Sequence, residues 1–347
     1  MPVGIGLALA LAVLILFSFR TGTSGSFEFG TTLRGILAAM GLGEPVEQQA
    51  IVELRLWRTL VAVGVGAALA LSGALLQGLF RNSLASPSVI GVTAGASLGA
   101  SIAILIVGGY GSDVLFEYST WLAPYLVTLF AFIGAFGVAT VVTSVASSGG
   151  RLSVPTLLLT GVAINVCLGS VIAAIQSLVL VDSYGIAQAL IMWTFGSLTD
   201  RPTYHVPLIW SCLALAAAVI PFVAVELDLF AGGEDDAQSL GVNTSRVKLL
   251  VLMAASIAAA GAVAAAGPIA FIGLVVPHLL RLLTGPSHRS LLILSVLGGA
   301  VFLLGADYAN RLFLGPARLQ PGVVMSLFGG PLFLYLLLRG RKEMQTW

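Results

Sequence analysis

The stretch "LRLWRTLVAVGVGAALALSGALLQGLFRNSLASPSVIGVTAGASLGA", residues 54–100, decides the fold class. From Thr59 to Phe80 it carries no charge, breaks at the polar "RNSLASP" of residues 81–87, and resumes as a second uncharged run. Each run reaches the roughly 20 residues an α-helix needs to cross a hydrocarbon core. The rest of the chain repeats the pattern. Of 347 residues, 58% are hydrophobic and 9% charged, where a soluble domain carries about a quarter charged residues. The sequence therefore predicts an all-α, polytopic membrane protein forming a single transmembrane domain over residues 1–347.

Division at polar and Gly/Pro punctuation gives about ten candidate spans, near 3–19, 54–79, 88–108, 120–145, 155–180, 204–226, 246–266, 270–284, 289–309 and 322–338. The first, "MPVGIGLALALAVLILFSFR", lacks the basic start and small-residue cleavage site of a secretory signal and reads as a retained span. Residues 20–53 form the longest polar connection, with a short helix expected near "TTLRGILAAMG", and a second short helix is expected within 183–203 at the mouth of the protein. The tail "RGRKEMQTW" with Arg339, Arg341 and Lys342 favours a cytoplasmic C-terminus, and ten spans then place both termini there. Arg20, Arg34, Arg55, Arg58, Arg201, Arg311 and Arg318 fall on the opposite side in this topology.

A net charge of +1 supplies neither a basic surface for nucleic acid nor an acidic tail for a basic partner. Cys167 and Cys212 lie in apolar runs and are expected as buried, inert thiols rather than a disulfide or metal site. Gly91, Gly95 and Gly99 recur every four residues, the spacing that lets helix backbones approach closely in lipid. Gly64, Gly66 and Gly161 read instead as scattered glycines of the kind membrane helices tolerate.

One segment breaks the apolar pattern. "AGGEDDAQSLGVNTSRVK", residues 231–248, opens with Gly232 and Gly233, sets Glu234, Asp235 and Asp236 where a helix dipole favours negative charge, and closes on Gly241, suited to a C-cap. It is expected as a short capped helix, either a solvated turn or a docking element for a soluble partner.

The order Gly233, Glu234, Asp235, Asp236, Ala237, Gln238, Ser239, Leu240, Gly241 resembles the coupling helix of the FecCD/BtuC-like permeases, the membrane subunits of ATP-binding-cassette (ABC) importers for iron chelates, haem and cobalamin. Residues 54–100, the stretch "GPIAFIGLVVPHLLRLLTGPSHRSLLILSVLGGAVFLLGADYANRLF" at 267–313, and "GVVMSLFGGPLFLYLLLR" near the C-terminus are similar to the same family in the same order. The resemblance implies about ten membrane helices per subunit with an inverted repeat of helix sets, a homodimer of permeases around one path, two ATPase subunits and a periplasmic or lipid-anchored binding protein. It implies location in a bacterial cytoplasmic membrane, no cofactor in this chain, and ATP with magnesium on the partner ATPase. No Gly-x-x-x-x-Gly-Lys-Ser/Thr phosphate loop is present, so the chain itself is not expected to be an enzyme.

By the same resemblance, Gly233, Glu234, Asp235, Asp236, Ala237, Leu240 and Gly241 would couple to the ATPase. Arg55, Arg58 and Arg311 would form a basic patch for carboxylates of the binding protein, which the guanidinium fork suits. Asn82 and Leu84 in "RNSLASP" would belong to one constriction of the path, and Ser153, Val154 and Pro155 in "RLSVP" to another. Gln77, Asn165, Gln176 and Asp307 are the notable polar residues inside spans and are expected to face a cavity or a neighbouring helix; Asp307 is also placed to pair with Arg311 four residues on. The three histidines form no metal or catalytic set, and His205 reads as an incidental surface residue. Where relatives carry a Pro-x-Glu-Leu-Pro-x-Gly pattern this chain has "PARLQPG", with Arg318 in place of a carboxylate. A transporter driven by an ion gradient without an ATPase is the alternative; it would need intramembrane carboxylates or ion sites at broken helices.

Overall fold

A computed structural model of the protein describes residues 2–22, 25–109, 123–147, 153–199, 203–315 and 319–339. Its helices are α1 (Pro2–Arg20), α2 (Phe29–Ala39), α3 (Gln49–Phe80), α4 (Val92–Val107), α5 (Ala123–Ala146), α6 (Val154–Asp182), α7 (Tyr184–Thr194), α8 (His205–Ala217), α9 (Ile220–Phe230), α10 (Glu234–Ser239), α11 (Thr244–Ala266), α12 (Ile272–Thr284), α13 (His288–Leu314) and α14 (Pro321–Arg339). A 3-10 turn spans Pro87–Ile90, and two-residue strands β1 (Thr21–Gly22) and β2 (Gly25–Ser26) pair antiparallel. The short helices foreseen in 20–53 and 183–203 are α2 and α7.

All ten apolar segments are helical, but they are not ten equal spans. Among the described residues, α1, α3, α5, α6, α11 and α13 are each long and apolar enough to cross a membrane. The run at 204–226 is two helices, α8 and α9, bent by 53° and counting as a seventh span only together. Pro221 lies in the first turn of α9, where a missing N–H and a fixed φ start a helix rather than continue one. Three further apolar helices, α4, α12 and Pro321–Tyr335 of α14, are shorter. α4 and α12 lose length because irregular backbone occupies the positions before them, at 81–91 and 267–271.

The centre of the bundle is α3, which is buried almost throughout its apolar length and touches α13, α11, α12 and α8. Its contacts are backbone to backbone. A Cβ on Gly66 would lie 2.2 Å from the Gly299 carbonyl oxygen of α13, and one on Gly73 would lie 1.7 Å from the Gly273 carbonyl oxygen of α12. Gly66 is thus a packing residue, not merely tolerated, and so is Gly161, where a Cβ would meet the Val89 carbonyl at 1.9 Å. The expected close approach at Gly95 and Gly99 is made to α5, at Gly134 and at the Phe130 carbonyl. Those pairings run in opposite directions, so α4 and α5 are antiparallel. Chain direction then places the end of α3, the start of α6 and the start of α13 at one end of the bundle, and the start of α3 and the end of α13 at the other.

Replacing Gly66 by alanine is expected to cost about 1–3 kcal/mol through overpacking, read as a lower unfolding midpoint of the purified protein in detergent. Gly137→Ala is the comparison, since a Cβ there meets nothing within 4 Å, and it should leave the midpoint unchanged or raised.

Candidate functional site

Charge and polarity collect in three places: the two ends of α13 and the irregular backbone between them. At the Asp307 end, the buried Asp307 carboxylate receives Arg58 as a fork, Nη2 to Oδ1 at 2.5 Å and Nε to Oδ2 at 3.1 Å, while Arg311 Nε lies 3.1 Å from the same Oδ2. Arg58 Nη1 also donates to Thr199 Oγ1, at 3.0 Å, in the segment after α7. Arg311 Nη2 donates to Ser18 Oγ of α1, which shares a hydrogen bond with Thr59 Oγ1 of α3. Arg55 donates to the Phe19 and Arg20 carbonyls at the end of α1 and to the Gly25 carbonyl, with its guanidinium 4.5 Å from the centre of the Phe27 ring.

The structure therefore brings Arg58 and Arg311 together on one carboxylate and places Arg55 as a cap on α1. Arg55 and Arg311 are buried and Arg58 is half-buried, so none presents a free fork on this chain's surface. Two guanidiniums thus share the Asp307 carboxylate, and the third, that of Arg55, is spent on backbone carbonyls. Among the described residues, the exposed cations near this end are Arg20 and Arg34.

At the His288 end, α10 stands out from the bundle. Gly233 at φ 131° opens it and Gly241 at φ 89° closes it. The Val242 N–H donates to the Ala237 carbonyl and the Gly241 N–H to the Gln238 carbonyl, the paired bonds of a Schellman ending. Ala237 is fully buried and Glu234 pairs with Lys248 of α11, so these two residues hold the helix down. Asp235, Asp236, Leu240 and Gly241 face outward. Five residues before Gly233, the Asp228 carboxylate accepts from the His288 backbone N–H at 2.7 Å and from Ser287 Oγ at 3.3 Å, and its Oδ1 lies 2.7 Å from His288 Nδ1. It thereby ties α9 to the first turn of α13, a contact the sequence did not indicate.

Between the ends, Gln77 Nε2 donates to the Gly273 and Leu274 carbonyls, and Asn165 Nδ2 of α6 donates to the Ser88 carbonyl. The expectation that polar residues within spans serve a neighbouring element holds for both. They satisfy carbonyls at or beside the two irregular segments. A cavity of about 190 Å³ lies between those segments, lined among others by Ser86, Pro87, Ser88, Pro268, Ile269 and Phe271. Phe271 has φ 67° and Arg81, at the end of α3, has φ 49°; such strained non-glycine positions cluster where function constrains the backbone.

Asn82 and Leu84 sit in a turn at the His288 end, where Ser153 is the N-cap of α6 and Val154 and Pro155 are its first residues. Asn82 Oδ1 accepts from the Leu84 N–H at 2.9 Å, and Ser153 Oγ caps α6 through the Thr156 N–H and hydroxyl. Asn82, Leu84, Ser153 and Pro155 are exposed and Val154 is half-buried.

Two expectations are corrected. His205 is fully buried, bonded to Thr128 Oγ1 at 3.0 Å and stacked on Tyr204, because α8 packs that turn against α5. Cys167 is exposed, since most of α6 lies on the outside of the single chain, while Cys212 is buried as expected. Glu226 in α9 is an intramembrane carboxylate that the sequence reading passed over. Arg318, Arg151 and the tail cations Arg341 and Lys342 lie outside the described residues. Among the described residues, no group of three or more His, Cys, Asp or Glu is arranged to hold a metal ion.

Gly-packed spans, helices broken beside a small, mainly apolar cavity and a polar helix held outside the bundle define a multi-pass membrane transport subunit. The chain belongs to the FecCD transport family, which it matches over residues 10–339. It is 39% identical to the hemin transport system permease HmuU of Yersinia pestis, over 84% of this chain and 83% of that protein. It is 37% identical to the cobalamin import system permease BtuC of Halobacterium salinarum, over 86% and 76%. Among solved structures, an ABC transporter assigned to the metal-chelate type in an inward-facing conformation superposes with a TM-score of 0.81 at 28% identity, covering 97% of this chain and 99% of that one.

Asp307→Asn leaves two guanidiniums facing each other without their counter-charge, and breaking a buried pair in this way is expected to cost about 3–5 kcal/mol. Thr199→Val removes only one hydrogen bond to Arg58 and should cost about 1.5 kcal/mol. Thermal or denaturant unfolding of the two variants in the same detergent gives the comparison.

Proposed function

We propose that this chain is the membrane-spanning subunit of an ATP-driven importer that receives a ferric chelate, haem or cobalamin from a periplasmic or lipid-anchored binding protein and passes it into the cytoplasm. Two copies enclose the path, and two separate ATPase subunits bind ATP and magnesium and dock at the His288 end. That end is cytoplasmic, as are both termini, in a bacterial cytoplasmic membrane.

The observation that carries this reading is the construction of α10. Its inward residues, Ala237 and Glu234, hold it to the bundle; of its outward residues, Asp236 lies back over Gly233, while among the described residues Asp235 has no hydrogen-bond or ion-pair partner and Leu240 is exposed. A turn kept wet by charge has no need of an exposed leucine beside its acids, whereas a docking helix uses both. At the opposite end, Arg20, Arg34, Arg55, Arg58 and Arg311 are balanced in number by Glu28, Glu44, Glu47, Glu53 and Asp307, so a carboxylate-bearing binding protein would be met locally by the exposed Arg20 and Arg34 and not by a net positive field. Arg55, Arg58 and Arg311 shape that surface from within. The turn at Asn82–Leu84 and the start of α6 at Ser153–Pro155 are the proposed inner constriction.

The ion-gradient alternative is less well supported. Asp307, one of two intramembrane carboxylates among the described residues on which it could rest, has both oxygens occupied by Arg58 and Arg311, which leaves Glu226 of α9 as the other candidate.

Asp235→Arg combined with Leu240→Arg changes only outward residues and spares the Glu234–Lys248 pair. With the permease reconstituted in lipid beside its ATPase, the doubly substituted chain is expected to stay folded while losing assembly and binding-protein-stimulated ATP hydrolysis. Normal assembly and stimulation would place the docking surface elsewhere.

A further inference from the structure

We infer that α2 is an interfacial helix whose exposed apolar face is seated in the headgroup layer of the lipid bilayer. This inference does not depend on which solute is carried or on how ATP is used.

The helix is amphipathic the wrong way round for a water-covered surface. Phe29, Leu33 and Leu37 recur at intervals of four, and Met40 follows on the same arc; they are 62%, 47%, 37% and 64% exposed. Thr32 and Gly35 on the other side are buried, Gly35 against Val46 and Val52 of the α3 approach, where a Cβ would come within 2.9 Å of Val52 Cγ1. Thr32 and Gly35 thus face protein, while the large apolar residues face out with Gly30 and Arg34 exposed beside them. A surface helix in water shows the reverse.

Depth identifies what covers the face. Arg55 of α3 binds the last carbonyls of α1, so it marks the level at which that apolar span ends. Val52, which receives Gly35, lies three residues earlier on α3, about 5 Å further out at the rise of an α-helix. The headgroup layer on each side of the hydrocarbon core is about 5–8 Å thick, so α2 lies within it.

The apolar face also continues the bilayer-facing stripe of α1. Ile5, Leu9, Val13, Leu16 and Phe17 are exposed along that helix, and the β1–β2 hairpin carries the chain directly from its end to α2. The exposed cations Arg20 and Arg34 flank the arc. Arg34 bends back along the helix, its Nε donating to the Gly30 carbonyl at 3.3 Å, which leaves the outer nitrogens of the guanidinium for phosphate. Apolar side chains inserted to the headgroup boundary with Arg at the edge is the chemistry of an interfacial anchor. Seated in this way, α2 fixes the height of the first turns of α3, and with them Arg55 and Arg58, relative to the membrane.

The test uses the full chain carrying Cys167→Ser, with Leu33→Cys or Leu37→Cys labelled by a nitroxide, in phosphatidylcholine–phosphatidylglycerol vesicles with no other protein. Ser245→Cys, at an exposed position on α11, is the water-facing reference. The α2 labels are expected to collide freely with oxygen and several-fold less than the reference with a water-soluble nickel chelate. Equal access to the nickel chelate would overturn the inference and leave the face for a soluble partner. Shielding from both oxygen and nickel would also overturn it, since a second copy of the chain would then cover the face.

Discussion

Backbone contact between glycines sets the geometry of this molecule. Helices in lipid gain little by burying apolar side chains against one another, because the surrounding acyl chains are equally apolar. Dispersion between closely packed surfaces has to replace that force, and it falls off within a fraction of an ångström. Gly66 on Gly299 and Gly73 on Gly273 bring α3 into direct contact with α13 and α12. With α3 fixed between these neighbours, Gln77 comes within reach of the Gly273 and Leu274 carbonyls, and Arg58 within reach of Asp307.

The same solvent makes the irregular backbone at 81–91 and 267–271 expensive. Non-helical peptide groups at membrane depth need partners from protein or from a wet cavity. Here protein is the supply that the structure shows, in the amides of Gln77 and Asn165. Arg81 and Phe271 hold left-handed backbone where glycine would be easier, and each stands at the junction of a helix with one of these segments. The strain is located where two rigid helices give way to a joint.

Much of this was legible from residues alone. The acidic triplet at 234–236 stood out because the chain is otherwise so poor in charge, and both glycine caps of α10 carried positive φ as their positions required. The Asp307–Arg311 pair follows from helical spacing. Its partner Arg58 does not, because a contact across 249 positions leaves no local mark. Separations of 60 and 77 positions likewise hid the Asp228–His288 contact and the Thr128 partner of the buried His205. The bend between α8 and α9 was announced by Pro221, yet the apolar run read through it, since hydropathy measures whether a segment prefers lipid and not whether it is straight. The role of Gly66 was missed for a related reason. A single glycine looks the same whether it is tolerated or touched, and only the facing Gly299 tells them apart.

α13 joins features that have been described separately. Its first residue is bound to Asp228, just before α10, and Asp307 near its far end is bound to α3 through Arg58. The helix has no internal proline and runs for 27 residues, roughly 40 Å at 1.5 Å per residue. It is therefore a strut with both feet bolted, pressed at mid-length against Gly66. A stiff rod tied in this way cannot bend to absorb a displacement at one foot, so α9 at one end and the start of α3 at the other are held to a common spacing.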